Sequence, residues 1–409
     1  MTSGSDIFTL ELDMITFAGL AALLLMFGTW MTKRYKVLWK YSIPSPVIGG
    51  FSFAILMLIM KEFGLLQIVF DNTLNDLFMY VFFVTIGLKT GLGLINKGGR
   101  LLFFYILICW VLSILQNGIG IGMSFLTGVD PLVGLMSGQP AMQGGHGMAA
   151  SMAPVIEAVG GDGALTIGMA AATYGLIAGS LIGGPVGNWL INKNGLKIET
   201  DQTGLNDLEH HAKEGAQEQV TSHGILVTGT LIFVILAIGL PTAKWITNVT
   251  GFAIPGHIFS LFLAVLFRSI NDRSGMIHVP AKEMNIVSTV SLEMFLIMAM
   301  MNLKLWELYD LALPLIIMLV VQTIFTVLLA VFVMFRAMGK NYDAALLSAG
   351  FIGHGLGATP NGLVVMDAIC RKYDLFSPKA FLFIPIAGTV LTDIFAVPLF
   401  VFLANLFGH

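Results

Sequence analysis

The sequence predicts an all-α integral membrane protein made of two inverted repeats of five spans, each repeat carrying one re-entrant hairpin. Of the 409 residues, 56% are hydrophobic and only 11% are charged, with a mean hydropathy of +0.86. Soluble domains carry about 25% charged residues, so most of this chain cannot face water. The net charge of −3 is too small to indicate a nucleic-acid partner. Two similar glycine-rich runs and a one-sided distribution of Lys and Arg supply the rest of the prediction.

Apolar runs long enough to cross a hydrocarbon core of about 30 Å predict ten spans. The first half, residues 1–191, has spans at 14–31, 45–60, 75–95, 101–126 and 163–191. The second half, residues 224–409, has spans at 224–246, 254–270, 284–303, 311–338 and 380–406. Between the halves lies a polar linker, residues 192–223. The segment before the first span is acidic, which predicts a retained span and not a cleaved signal peptide.

The distribution of positive charge predicts the orientation. If both termini lie outside, all but three of the 21 Lys and Arg residues fall in cytoplasmic segments, and the exceptions are Lys61, Lys244 and Lys304. Cytoplasmic loops are enriched in Lys and Arg. The same orientation places the 192–223 linker in the cytoplasm.

The two halves resemble each other at an offset of about 210 residues. SIPSPVIGGFSFAIL from Ser42 resembles AIPGHIFSLFLAVLF from Ala253, and Leu88-Lys89 matches Leu303-Lys304. DPLVGLMSG resembles DAALLSAG, and GHGMAAS resembles GHGLGAT. Five spans per half reverse the direction of insertion, which predicts inverted repeats of the kind found in secondary transporters.

Each half also contains a semi-apolar segment rich in Gly, Pro and hydrogen-bonding side chains, at about 130–160 and 343–370. Unpaired backbone groups are unfavourable in lipid, and Pro and Gly interrupt helices. We therefore predict two re-entrant hairpins, the first entering from outside and the second from the cytoplasm. Their helix N-termini could bind an anion, and their C-termini and unwound carbonyls a cation such as Na⁺.

The candidate substrate- or ion-binding residues lie in these hairpins and in the last span. The first hairpin contributes Ser137, Gln139, Gln143, Gly144, Gly145, His146 and Gly147, and the second contributes Gly353, His354, Gly355, Gly357, Thr359, Pro360 and Asn361. The two histidines are expected to hydrogen-bond within the hairpin turns or to contact substrate. Asp393 is an acidic residue inside an apolar span, where such residues mark ion or substrate paths.

Three further charged residues are candidates for the rim of the site or for coupling. Asp367 and Arg371 follow the second hairpin, and Glu293 is expected close to a membrane surface. No Lys or Arg lies near the middle of a predicted span. An anionic substrate would then be neutralised by hairpin N-termini, by Arg371 at the rim or by co-transported cations, and the last possibility favours symport.

Several motifs resemble the sodium/glutamate symporter family of bacteria: KYSIPSPVIGG, FFVTIGL, QNGIGIGM, DPLVGLMSG, GGHG, LIGGPV, MNLKLWELYDLALPL, VVQTIF, MGKNYDAALL and GLGATPNG. The resemblance implies a homodimer in the bacterial inner membrane with periplasmic termini. It also implies elevator-like uptake of glutamate with Na⁺ as the coupling ion and no other cofactor. The family's hairpin motifs match Gly144–Gly147 and Gly355–Pro360, and an acidic position of its last span matches Asp393.

The chain departs from the family pattern just before GGHG, where Gln139-Pro140-Ala141-Met142-Gln143 replaces a run with Ser and Thr. Further departures are Met148, Ser151, His354 and Glu293. A related amino acid or another carboxylate is therefore an alternative substrate. A channel and an intramembrane enzyme using His146 or His354 are less favoured alternatives. Paired hairpins within one chain are unlike a pore built around a symmetry axis, and the sequence shows no set of nucleophile, base and orienting residue.

Overall fold

A computed structural model describes residues 9–35, 44–89, 99–196, 220–250, 254–309, 311–375 and 377–408, and most of them are helical. The first half contains β1 (Thr9–Leu12), α1 (Met14–Arg34), α2 (Ser45–Glu62), β2 (Gln67–Phe70), α3 (Thr73–Lys89), α4 (Gly99–Thr127), α5 (Pro131–Met136), α6 (Gln139–Met142), α7 (Gly145–Ala158) and α8 (Ala164–Lys193). The second half contains α9 (Ser222–Thr250), α10 (Gly256–Ser274), α11 (Ala281–Met301), α12 (Ala312–Leu329), α13 (Phe335–Ala337), α14 (Tyr342–Gly357), α15 (Thr359–Tyr373), α16 (Pro378–Ile386) and α17 (Asp393–Phe407). Most of the predicted linker, residues 197–219, lies outside the described residues.

Seven helices of the described chain are long and apolar enough to cross a membrane: α1, α2, α4, α8, α9, α11 and the continuous segment Ala312–Ala337, in which a π-helical turn joins α12 to α13. The other three predicted spans correspond to shorter or less apolar elements. Helix α3 has 17 residues, and α10 carries Arg268, Asp272 and Arg273 in its C-terminal half. The last predicted span is divided by the π-helical turn Ala387–Leu391 into α16 and α17.

A two-stranded parallel sheet is the one element that the all-α prediction does not contain. Strand β1 pairs with β2 in register from Thr9 opposite Gln67 to Leu12 opposite Phe70. Each strand leads into an acidic cap: Asp13 Oδ1 accepts from the N–H groups of Ile15 and Thr16 at the start of α1, and Asp71 Oδ1 accepts from that of Thr73. These runs of four residues are too short for a periodicity argument to identify as strands.

Helices α1–α3 and α9–α11 pack together into what we call the scaffold group. Phe17, Phe53 and Ile297 join α1, α2 and α11, while Val84, Ile232 and Ala264 join α3, α9 and α10. Glycines allow close approach within this group, and a Cβ at Gly49 of α2 would overlap the carbonyl of Leu24 in α1. Small residues at such contacts are the usual device for packing helices in membranes.

Helix α8 packs along the second hairpin, α14–α15, through a glycine on each successive turn. Cβ atoms at Gly179, Gly183 and Gly187 would lie 2.6–2.8 Å from side-chain atoms of Asn361, Val365 and Ile369 in α15. The spacing of four residues keeps these glycines on one face of α8. The sequence run GLIAGSLIGGPVG thus brings the second hairpin against α8 without intervening side chains.

Both glycine-rich segments form helical hairpins. In the second, a Cβ at Gly350 would lie 2.8 Å from Met366, and one at Gly353 would lie 2.9 Å from Gly362, so α14 and α15 run antiparallel. In the first, a Cβ at Gly161, just after α7, would lie 3.1 Å from Leu132 at the start of α5. The first hairpin is broken twice, at Ser137–Gly138 and at Gln143–Gly144, whereas the second is broken once, at Ala358.

Candidate functional site

A cavity of about 720 Å³ lies where the two hairpins meet. The scaffold group lines one side of it through Phe82, Phe83, Ile86 and Lys89 of α3 and Ser288, Leu292 and Leu296 of α11. The hairpins and the junction between α16 and α17 line the other side. Pockets that are mostly apolar with a few convergent polar groups are typical of small-molecule sites.

Ten of the sequence-predicted site residues line this cavity: Gln143, Gly144, His146, Gly147, His354, Gly357, Thr359, Pro360, Asn361 and Asp393. They come from the first hairpin on either side of the start of α7, from the second hairpin and from α17, which are separate parts of the sequence. The two hairpins and the last helix therefore contribute to one cavity, and the binding roles of these residues stay predictions.

The N-termini of α7 and α15 both lie at the cavity. Helix α7 begins at Gly145 and α15 at Thr359, and neither has a side chain that caps its first N–H groups. The first turns, with Gly144, His146 and Gly147 in one and Thr359 and Pro360 in the other, line the cavity. Free N–H groups and the positive end of the helix dipole favour an anionic group there.

Ala358 joins α14 to α15 in a backbone conformation that L-residues rarely adopt. Its φ of 130° and ψ of 167° place it in a region used almost only by glycine. Ala358 also lines the cavity. Strained residues of this kind cluster at ligand sites, where the surrounding structure holds them in place.

We expect Ala358→Gly to stabilise the folded protein by about 1–3 kcal/mol, because glycine removes the strain at this φ. The apparent melting temperature in detergent should rise by a few degrees. The comparison variant is Ala345→Gly, inside α14, which should lower the melting temperature because Gly in a helix interior costs about 1 kcal/mol. Equal effects of the two substitutions would show that Ala358 carries no strain.

Several polar side chains at the cavity are already engaged by neighbouring elements. Gln143 accepts from Ser113 Oγ (2.7 Å) and donates to Cys109 O (3.3 Å), which ties the first hairpin to α4. Asn361 accepts from Ser180 Oγ (2.6 Å) and donates to the carbonyls of Leu176 and Gly353. Thr359 Oγ1 donates to Gly388 O (2.8 Å). These hydrogen bonds position the hairpin ends. The Thr359 hydroxyl donates in this way, and its oxygen can still accept a hydrogen bond from a ligand.

Two charged groups at the cavity remain available. The Asp393 carboxylate, at the first turn of α17, and the Lys89 ammonium, at the last residue of α3, line the cavity without a hydrogen bond or salt bridge to any other described residue. His354 is buried, and its Nδ1 has no hydrogen-bond partner among the described residues. The cavity thus offers one acid, one base and one imidazole to a ligand.

Lys89 lines the cavity but is not among the candidates from the sequence, because its charge was counted with the cytoplasmic Lys and Arg residues. The available signal was the Leu-Lys pair that ends α3 and recurs at Leu303-Lys304. A cation at the cavity removes the need to neutralise an anionic ligand solely with helix ends or co-transported ions.

We expect Lys89→Met to raise the KM for an anionic substrate about tenfold or more, since a lost charged hydrogen bond is worth about 1.5–3 kcal/mol. Lys89→Arg should retain most of the affinity. Lys193→Met, at the end of α8 where the ammonium lies over the Trp189 ring, is the matched control. If Lys89→Met and Lys193→Met gave the same KM, Lys89 would not bind substrate.

Some predicted site residues lie elsewhere. Gly353 and Gly355 pack inside the second hairpin region, where a Cβ at Gly353 would meet Gly362 and one at Gly355 would meet Leu112. Gly145 contacts the tip of the second hairpin, since a Cβ there would lie 2.9 Å from Gly357 O. Gly145 and Gly355, both candidates for binding substrate or ion, therefore lie in close helix contacts and not in the cavity lining.

The remaining candidates are also separated from the cavity lining. Asp367 and Arg371 form an exposed salt bridge of 2.8 Å with each other on α15, and exposed pairs of this kind contribute little. Glu293 lies in the middle of α11 and does not line the cavity, and its expected place close to a membrane surface stays a prediction. Ser137 and Gln139 are fully buried at the break between α5 and α6.

His146 differs from the expectation of a hydrogen bond within its own turn. Its Nε2 lies 3.0 Å from Thr173 Oγ1 of α8, and Thr173 Oγ1 donates in turn to Met169 O. The hydroxyl therefore accepts from the imidazole N–H, which fixes the orientation of the ring at the start of α7. The imidazole connects the first hairpin to α8 beside the cavity.

The fold and the cavity together define the class of protein. Broken helices whose N-termini surround a ligand-sized cavity, within a bundle of membrane-length helices, are the architecture of a membrane transporter. The model of the sodium/glutamate symporter family matches residues 10–375. The chain belongs to that family, which is one of transporters and not of enzymes.

Individual relatives agree with this assignment. A sodium/glutamate symporter of Escherichia coli K12 is 39% identical over 389 residues, covering 94% of this chain and 95% of the relative. A sodium/glutamate symporter of Haemophilus influenzae is 36% identical over 379 residues, covering 92% and 93%. Among solved structures, a sodium proton antiporter of Methanocaldococcus jannaschii aligns over 96% of this chain and 98% of its own, but with 14% identity and a TM-score of 0.39, too low to support an argument.

Proposed function

We propose that this protein imports L-glutamate together with Na⁺ across the bacterial inner membrane by alternating access. Membership of the sodium/glutamate symporter family supports this proposal. The structural observation that carries it is the cavity in which Asp393, Lys89 and two uncapped helix N-termini meet.

The charges of the cavity complement those of glutamate. Glutamate carries two carboxylates and one ammonium group. The N-termini of α7 and α15 and the Lys89 ammonium suit the carboxylates, and the Asp393 carboxylate suits the ammonium. Because the cavity offers both positive and negative groups, each of the three charged groups of glutamate can be paired when the substrate is bound.

The proposal includes two inverted five-span repeats with re-entrant hairpins at about 130–160 and 343–370. Two observations support it: antiparallel helices in both segments, and similar motifs in the same order in both halves. Movement of the hairpins and α8 against the scaffold group would expose the cavity to either side in an elevator-like cycle. A homodimer and periplasmic termini complete the proposal.

Another amino acid or carboxylate remains the second candidate substrate, because of the Gln139–Gln143 run. In the structure, only Gln143 of that run lines the cavity, and its amide is engaged by Ser113 and Cys109. This part of the departure from the family pattern therefore lies mostly behind the cavity wall, whereas Met148 and His354, which also depart from the pattern, line the cavity. Competition between glutamate and other acids for uptake decides between the two candidate substrates.

The test is uptake of labelled L-glutamate into proteoliposomes under an inward Na⁺ gradient. We expect accumulation with Na⁺ and only the level of empty liposomes when choline replaces Na⁺. Unlabelled amino and dicarboxylic acids added in competition identify the preferred substrate. Equal accumulation in Na⁺ and choline would contradict Na⁺ coupling. Competition by another acid, and not by unlabelled glutamate, would show that the other acid is the substrate.

A further inference from the structure

A cluster of buried side-chain amides lies behind the cavity wall, where the first hairpin is broken between α5 and α6. We call Gln116, Asn117, Gln139 and Gln322 the amide cluster. All four are at most 1% exposed, and none of them lines the cavity. They come from α4, the first hairpin and α12, so the sequence alone does not bring them together.

Hydrogen bonds to the hairpin backbone hold the amide cluster in place. Asn117 Oδ1 accepts from Gln139 N (3.0 Å), and Gln322 Nε2 donates to Ser137 O (3.2 Å). Gln116 Nε2 donates to Gly355 O (2.6 Å) in the second hairpin. A Cβ at Gly355 would also lie 3.4 Å from Thr326 of α12, one turn after Gln322. The cluster thus occupies the space between a broken turn of one hairpin and the backbone of the other.

Three oxygens of the cluster lack a hydrogen-bond partner among the described residues: Gln116 Oε1, Gln139 Oε1 and Gln322 Oε1. Buried polar atoms are nearly always paired, and an unpaired one in a native structure calls for an explanation such as a bound ion or water. Two amide nitrogens, Gln139 Nε2 and Asn117 Nδ2, are unpaired as well. The three unpaired oxygens therefore form no hydrogen bonds with the two unpaired nitrogens of the same cluster.

We infer that the amide cluster binds a Na⁺ ion through the side-chain oxygens of Gln116, Gln139 and Gln322. Na⁺ is a hard cation, and transporters bind it with neutral oxygens at unwound segments and helix C-termini. Helix α5 ends at Met136, immediately before the break, so the negative end of its dipole also lies there. The ion site is then separate from the substrate cavity. This inference rests on the proposed function for the identity of the ion.

The location suggests how an ion there would affect the substrate site. Gln116 and Gln139 belong to elements that contact both hairpins, and Gly355 O, which binds Gln116, lies two residues before Gly357 at the cavity. An ion held between the three oxygens would draw α4, α12 and both hairpins together. Ion binding would therefore fix the hairpin ends that line the cavity, which couples the two ligands.

The test measures thermal stability of the purified full-length protein against NaCl concentration, without glutamate and with choline chloride keeping ionic strength constant. A bound ion raises the melting temperature of the native state in a saturable way. We expect this rise in the wild type with Na⁺ and not with K⁺. Gln139→Leu and Gln322→Leu should abolish it or move its midpoint about tenfold or more to higher Na⁺.

Two further variants make the test specific. Gln139→Glu keeps an oxygen at the site without removing a hydrogen bond, because Gln139 Nε2 has no partner among the described residues. It should retain the Na⁺-dependent rise, even if a leucine variant does not fold. Asn188→Leu removes another amide with an unpaired buried oxygen, on α8 outside the cluster, and should leave the midpoint unchanged. Three results would each overturn the inference: an unaltered Na⁺ midpoint in the leucine variants, loss of the effect in Gln139→Glu, or no Na⁺-specific rise in the wild type.

Uptake by the same preparations separates this inference from the proposed function. One possible result is that the wild type takes up glutamate with Na⁺ while the leucine variants keep the wild-type Na⁺ midpoint. This result would support the proposed function and contradict only the ion site. A Na⁺-specific rise that the leucine variants lose, without glutamate uptake by the wild type, would support the ion site and overturn the substrate.

Discussion

Asp393→Asn is expected to reduce the initial rate of Na⁺-driven glutamate uptake about 30-fold or more. Asp393 is the acidic residue of the cavity, and its carboxylate is unpaired by other described residues. Removing one partner of a desolvated charge pair costs about 2–5 kcal/mol, which corresponds to at least about 30-fold in affinity. Uptake of labelled glutamate into proteoliposomes measures the effect, and Asp393→Glu should recover part of the activity.

The matched control is Asp272→Asn. Asp272 is also a helical aspartate, but it pairs with Arg268 at 2.7 Å near the end of α10. Its replacement should leave uptake within about twofold of the wild type, because partly exposed pairs contribute little. Similar rates for Asp393→Asn and Asp272→Asn would exclude Asp393 from the substrate and ion path.

Gly145→Val is expected to abolish uptake while the protein still inserts into the membrane. Gly145 has a φ of +66°, and a Cβ there would lie 2.9 Å from Gly357 O and 3.1 Å from Ala358 Cβ. The valine side chain would push apart the tips of the two hairpins, where the N-termini of α7 and α15 meet. The measurement is uptake per molecule of inserted protein.

Gly275→Val separates this contact from the effect of backbone conformation. Gly275 has nearly the same φ of +63°, but no atom lies within 4 Å of a Cβ at that position. Both variants carry the cost of a left-handed β-branched residue, about 1–2 kcal/mol, and only Gly145→Val also separates the hairpins. If Gly145→Val took up glutamate as fast as Gly275→Val, the contact of Gly145 with the tip of the second hairpin would not be needed for transport.

Much of the helical architecture is predictable because hydropathy and helix breakers are local signals. The predicted hairpin segments 130–160 and 343–370 correspond to α5–α7, ending at Ala158, and to α14–α15, ending at Tyr373. Repetition of GHG in both halves predicts that the hairpins form related parts of one site. In the structure, the N-termini of α7 and α15, one from each hairpin, line the same cavity.

The atomic roles within the site could not be predicted, because they depend on tertiary contacts. Glycine suits both ligand approach and helix packing, so the sequence cannot tell the cavity-lining Gly147 from Gly355, which packs against Leu112. Polar side chains are similarly ambiguous: Gln143 and Asn361 line the cavity with their amides engaged by other helices. Lys89 is the last residue of α3, and its place at the end of an apolar run does not reveal that the folded chain brings it to the cavity.

The most direct test of the account asks whether L-glutamate occupies the hairpin cavity. Ser288 of α11 lines that cavity. Cys109 and Cys370 are buried, and both would first be replaced with alanine so that an introduced cysteine is the reactive thiol. In this background we would follow modification of Ser288→Cys by a water-soluble thiol reagent, with Ser274→Cys at the exposed end of α10 as the control. The account predicts that glutamate with Na⁺ slows modification of Ser288→Cys and not of Ser274→Cys. Equal modification of Ser288→Cys with and without glutamate, in a protein that still transports it, would contradict the account.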